Sequence, residues 1–128
     1  MLLDKKIINF YQRQGAVLLK NVISKNWIKI LQEGIKKNFD NPSKYKCVYE
    51  KYKDIELFYD DYCNWKRILE YKDFLFNSKI AFIASQLMNS KKVNLFHEHV
   101  LIKEPGAEKK TPWHQDQSYY CVEGRQNV

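Results

Sequence analysis

The chain holds three histidines, His97, His99 and His114, and the last stands two residues before a carboxylate in "TPWHQDQSYY", Thr111 to Tyr120. On a β-strand, residues i and i+2 point to the same side. A strand here would present the His114 imidazole and the Asp116 carboxylate to one point, with Gln115 turned away. That is two thirds of the 2-His-1-carboxylate arrangement that holds non-haem Fe(II) and leaves positions open for a co-substrate and dioxygen. A surface histidine hydrogen-bonded to a nearby aspartate gives the same letters, so the pair takes its meaning from its surroundings. A Ser-His-Asp hydrolase is not supported, because no nucleophile-elbow pattern is present and one strand face is the wrong geometry.

Upstream, "HEHVLIKEPG" carries further candidates. His99 and Lys103 are four residues apart and would share one face of a strand. His97-x-His99 followed by Glu104 resembles in part the metal motif of cupins. The glycines that frame that motif are missing, and "EPG" reads as a turn.

The elements that must position these residues follow from periodicity and caps. "DKKIINFYQRQG" predicts a short amphipathic helix with Asp4 as N-cap and Gly15 as its stop. "AVLLKNV" reads as a strand. Ser24 opens a second helix, with Trp27, Ile28, Ile30, Leu31 and Ile35 at helical spacing, running to about Phe39. Residues 41–60 mix Tyr, Lys and acids without a clean period and read as irregular, with one short strand near Tyr45 to Tyr49. "YCNWKRILEY" suits a helical turn or two. "NSKIAFIASQLMNS" is a clear helix capped by Ser78, with Ile80, Ile83, Ala84 and Leu87 as its apolar face. The period then changes. Alternation predicts a strand from about Val93 to Lys103 and a second one beginning near Trp113.

Composition sets the frame. With 128 residues, 45% hydrophobic and 29% charged, the chain suits one modest globular domain with a core. A net charge of +7 coats the surface with lysine and favours anionic partners. The lysines are scattered and no nucleic-acid motif is present, so nucleic acid is not expected as a partner. Cys47, Cys63 and Cys121 form no CxxC pair, which argues against a zinc ribbon and fits reduced thiols in a cytoplasmic protein. The N-terminus "MLLDKKIINF" lacks a secretory h-region, and no apolar run is long enough to span a membrane.

"LIKEPG", a short loop and "TPWHQDQSYY" together closely resemble the phytanoyl-CoA dioxygenase family of Fe(II)/2-oxoglutarate oxygenases. "FYQRQGAVLLKNVIS" resembles that family's opening helix and strand, and "CNWKRILEYKDFLFNSKIAFIASQLMNSKKVNLF" resembles its pre-barrel segment. The resemblance implies an α+β fold, with N-terminal helices packed on the beginning of a double-stranded β-helix (jelly-roll, cupin-like) barrel. Residues 1–128 would form a single incomplete domain, with 1–90 mainly helical and 91–128 supplying the first core barrel strands. It implies Fe(II) held by His114 and Asp116, and 2-oxoglutarate as co-substrate, with ascorbate as a reductant that keeps iron ferrous. His99, Lys103 and Gln117 are the implied co-substrate-pocket residues, His99 foremost. Trp113 and Tyr119 are expected to pack and to line the cavity.

The family pattern also requires a distal histidine and a basic residue for the far carboxylate of 2-oxoglutarate. After Asp116 no histidine follows, and Arg125 in "VEGRQN" is the only later arginine. The expectation is therefore an N-terminal fragment of a hydroxylase acting on a small organic or acyl substrate with dioxygen, inactive alone. The alternatives are a non-catalytic barrel-family binding module and a cupin-like metal protein using His97, His99 and Glu104.

Overall fold

The computed structural model describes residues 2–121 and 123. Helix α1 spans Lys5–Gln14; the Asp4 carboxylate accepts the Lys6 N–H at 2.8 Å, and Gly15, at φ 75°, closes the helix by donating to the Tyr11 carbonyl at 2.7 Å. Helix α2 spans Lys25–Asp40, and Ser24 Oγ accepts the Trp27 N–H at 3.3 Å. Both helices lie where their caps predict. The "AVLLKNV" strand does not form: the segment is irregular, Leu18 is exposed, and Asn21 turns the chain at φ 59°. Alternating apolar residues make a strand only where a neighbour completes the ladder, and none lies beside this segment among the described residues.

The stretch read as irregular contains a β-hairpin. Strand β1, Cys47–Tyr52, turns through Lys53 (φ 54°) into β2, Ile55–Tyr62, and the two pair antiparallel. Strand β3, His99–Lys103, adds antiparallel to the other edge of β2, giving the order β1-β2-β3. Strands thus occur within residues 1–90 as well as beyond them. The period was hidden because β2 is covered on both faces: Phe58, Tyr59, Asp60 and Asp61 are all buried, two of them acids.

The later strands are shorter than alternation predicts. Residues 93–98 form no strand. Glu98 instead accepts the Asn64 and Trp65 N–H groups on its carboxylate and the Cys63 N–H on its carbonyl. No strand begins at Trp113; Pro112 has no N–H to give a ladder, and Asp116–Ser118 close a single 3-10 turn. Gln117 lies in that turn, and the expectation for its side chain falls outside the described residues, as do Arg125 and the turn expected around it.

The helical layer is completed by α3, Leu69–Asn77, and α4, Ile80–Leu87. Helix α3 starts later than the segment read as helical. Ser78 Oγ accepts the Ile80 N–H at 3.2 Å, and Ile83 and Leu87 are buried on the predicted face of α4. Gly34 lets α2 approach α3: a Cβ there would come within 2.7 Å of the Tyr71 ring. Ile68, Tyr71 and Ile83 are each almost fully buried in this layer, and each such side chain contributes about 1.5–3 kcal/mol relative to exposure.

Helix α2 meets the sheet at Asp61. Asn38 Nδ2 and the Ser43 N–H each donate to Asp61 Oδ2 at 2.8 Å, the Ser43 hydroxyl donates to Oδ1, and Phe39 tilts against Tyr59 at 5.7 Å. Burial opposes ionisation of Asp61, but the hydrogen bonds from Ser43, Asn64 and Asn38 together outweigh it and hold its pKa below the ordinary carboxylate value. Among the described residues the architecture is a small α+β unit with a three-stranded antiparallel sheet, not a closed barrel, and no helix is long and apolar enough to cross a membrane.

Candidate functional site

Alternation along the strands separates the two sheet faces. Tyr59, Asp61, Val100 and Ile102 turn toward the helices. Tyr49, Phe58, Asp60, Tyr62, His99 and Leu101 turn to the other side, where they line an open cleft of about 680 Å³. His114 and Asp116 belong to the wall across from them, with Tyr119 and Tyr120. The structure therefore brings His99, His114 and Asp116 to one cavity.

The sheet-side wall centres on Asp60. Its Oδ2 accepts the Tyr49 hydroxyl at 2.7 Å and lies 2.8 Å from His99 Nε2. The Tyr49 phenol is held protonated well above its usual range, first by that hydrogen bond to Asp60 and second by burial. Asp60 Oδ1 is buried and has no hydrogen-bond partner among the described residues.

On the facing wall, His114 Nε2 lies 3.1 Å from Asp116 Oδ1. The two side chains converge although no strand carries them; the 3-10 turn at Asp116 brings the carboxylate back toward the imidazole. His114 Nδ1 lies 2.8 Å from the Pro112 carbonyl. A carbonyl only accepts, so Nδ1 carries the proton, and a neutral ring then aims its Nε2 lone pair at the carboxylate. Two acceptors at that separation repel unless a second proton or a cation lies between them. Two ligands about 2.1 Å from one metal and at right angles lie about 3.0 Å apart, so the pair fits two adjacent positions of a metal site. No cluster of three His, Cys, Asp or Glu side chains able to hold a metal occurs among the described residues.

The loop that carries the pair is tied to the sheet. The Glu50 carboxylate accepts the N–H groups of Glu108 at 2.9 Å and Lys109 at 2.7 Å, and these bonds lower its pKa. Lys103 shares the cleft face of β3 with His99, but its ammonium donates to the Lys109 carbonyl and sits 4.9 Å from the Phe58 ring. As placed, Lys103 braces the loop.

His97 also lines the cleft, packed among Phe96, Tyr62 and Tyr120 with its ring 6.3 Å from that of His99, whereas Glu104 lies apart. Glu104 follows Lys103 at the far end of β3, where its N–H bonds the Leu57 carbonyl at 2.8 Å. Five residues of extended chain span about 16 Å, so His97, His99 and Glu104 do not gather. Tyr119 lines the cleft and packs edge-on against His114, whereas Trp113 is fully exposed instead of forming the wall. Tyr49, Glu50 and Asp60 lie in the stretch whose period was unreadable. The signal available was "YDDY", two acids between aromatics, which is unusual for a solvated turn.

A family model described as phytanoyl-CoA dioxygenase (PhyH) matches residues 11–128. No curated protein and no solved structure matches the chain. With nearly its whole length matched, the chain belongs to the phytanoyl-CoA dioxygenase family.

Proposed function

We propose that this chain carries the first part of an Fe(II)/2-oxoglutarate-dependent dioxygenase site, in which His114 and Asp116 hold the metal and His99 faces the co-substrate. The family supports an oxygenase of this kind. The observation that carries the ligand assignment is the 3.1 Å approach of His114 Nε2 to Asp116 Oδ1, with Nδ1 already committed to the Pro112 carbonyl. Bound iron would supply dioxygen activation coupled to the oxidative decarboxylation of 2-oxoglutarate. The chain's own residues orient and enclose. Pro112 fixes the tautomer of His114, Tyr119 covers its ring, and Glu50 and Lys103 hold the loop. Lys103 reaches the co-substrate only by leaving the Lys109 carbonyl, and Gln117 is a further pocket candidate. A cleft of about 680 Å³ with aromatic walls accommodates a small organic or acyl substrate. In this reading the three-stranded sheet begins the family's jelly-roll barrel.

The test uses Mn(II), a redox-silent stand-in for Fe(II) whose free paramagnetic resonance signal is lost on binding. Wild-type protein should bind it weakly, and Asp116→Ala, which removes the anionic ligand, should weaken binding at least about tenfold. Equal affinity for wild type, His114→Ala and Asp116→Ala would remove the assignment.

A further inference from the structure

We infer that Asp60 is the positioning residue of the cleft: together with Tyr49 it reserves Nε2 of His99 for the protein and leaves Nδ1 as the ring nitrogen that meets a ligand. This rests on the reading of His99 as a co-substrate contact. Each strand contributes one member. Tyr49 comes from β1, Asp60 from β2 and His99 from β3, and the ladder pairs Asp60 with Leu101 and Tyr62 with His99. The geometry is therefore set by backbone pairing rather than by a loop. The Asp60 side chain is 5% exposed, while His99 reaches the cleft at 36%. An ionised carboxylate only accepts, so the 2.8 Å contact places a proton on Nε2. The Tyr49 hydroxyl on the same oxygen stops the carboxylate from turning away. His99 Nδ1 has no hydrogen-bond partner among the described residues. A carboxylate that orients a histidine in this way fixes both tautomer and ring plane. Burying an acid on a sheet face is costly where an apolar residue would pack, which argues for a use beyond packing.

The experiment uses the full chain with ¹⁵N-labelled histidine. Long-range imidazole spectra at neutral pH read which nitrogen of His99 carries the proton, and calorimetry reads 2-oxoglutarate binding in the presence of Mn(II). Wild type should show Nε2–H at His99 without 2-oxoglutarate and protons on both ring nitrogens with it, because only a protonated Nδ1 donates to a carboxylate. Asp60→Leu, which fills the space but offers no acceptor, should lose the Nε2–H signature and raise the 2-oxoglutarate Kd about tenfold with the amide spectrum otherwise intact. Tyr49→Phe should raise it roughly threefold, and this variant carries the test if Asp60→Leu fails to fold. The double variant Asp60→Leu/His99→Gln should bind no more weakly than His99→Gln alone, because Asp60 acts through His99. An unchanged His99 signature in both Asp60→Leu and Tyr49→Phe, or additive losses in the double variant, overturns the proposal. If wild type does not bind 2-oxoglutarate, the co-substrate reading fails, and the imidazole spectra alone decide the role of Asp60.

Discussion

Asp60 and Asp61 are neighbours on one strand and serve opposite sides of the sheet. Asp61 faces the helices and has both oxygens engaged, by Asn38 and by the hydroxyl and N–H of Ser43. Asp60 faces the cleft with two partners crowded on one oxygen and none on the other among the described residues. The same residue type, buried to the same degree, is fully satisfied where it joins two layers and partly unsatisfied where it faces a cavity. The difference separates the acid that joins the two layers from the acid that stands beside His99 at the cleft.

Removing Asp61 should have the larger effect. Asp61→Ala leaves the Asn38 amide and the Ser43 N–H without their acceptor, and should cost about 3 kcal/mol, read as a lowered urea midpoint. Asp60→Asn, which keeps size and hydrogen-bonding capacity, should cost less than Asp61→Ala in the same measurement. If the order is reversed, the division of labour between the two acids is wrong.

Acid sharpens the contrast. The folded-state pKa of Asp61 lies below its unfolded value of about 3.9, so its contribution is fully present above that value. It is lost as pH falls through the depressed folded value. The stability difference between wild type and Asp61→Asn should therefore be constant near neutrality and shrink below about pH 4, as urea midpoints at a series of pH values would show. A difference that grows on acidification would contradict the assignment.

The helical side can be stressed away from either acid. Gly34→Ala places a methyl against the Tyr71 ring and should cost about 1–3 kcal/mol by overpacking, without changing Mn(II) affinity. The smallest expected effect on stability is at the loop. Glu50→Gln should leave the urea midpoint nearly unchanged yet speed hydrogen exchange at Glu108 and Lys109, whose N–H groups it holds. Unaltered exchange there would mean that the loop is positioned by other contacts.

What the sequence disclosed follows the same division. Asp4, Gly15 and Ser24 act within one turn of the chain, and the helices they bound appear as predicted. His114 and Asp116 share one cavity as expected, but through a 3-10 turn and not a strand. Local signals could not reveal the β1–β2 hairpin, because β2 buries polar and aromatic residues on both faces and so erases the alternation that marks a half-buried strand. Asp60 went unread for the same reason, whereas Tyr49 lies in the short strand expected near Tyr45 to Tyr49, which β1 overlaps. The "AVLLKNV" segment failed in the opposite direction: it has strand composition but no neighbouring strand among the described residues to complete a ladder.

The two junctions of β2 also differ in how the chain must find them. Its pairing with β1 closes a two-residue turn, whereas pairing with β3 must wait for the whole segment from Cys63 to Glu98, including α3 and α4, to be gathered in. Loop closure grows with the logarithm of length, a difference of roughly 2–3 kcal/mol between these two closures. The hairpin, carrying Tyr49 and Asp60, should thus form early, and His99 should arrive late, completing the wall only after most of the chain has been placed.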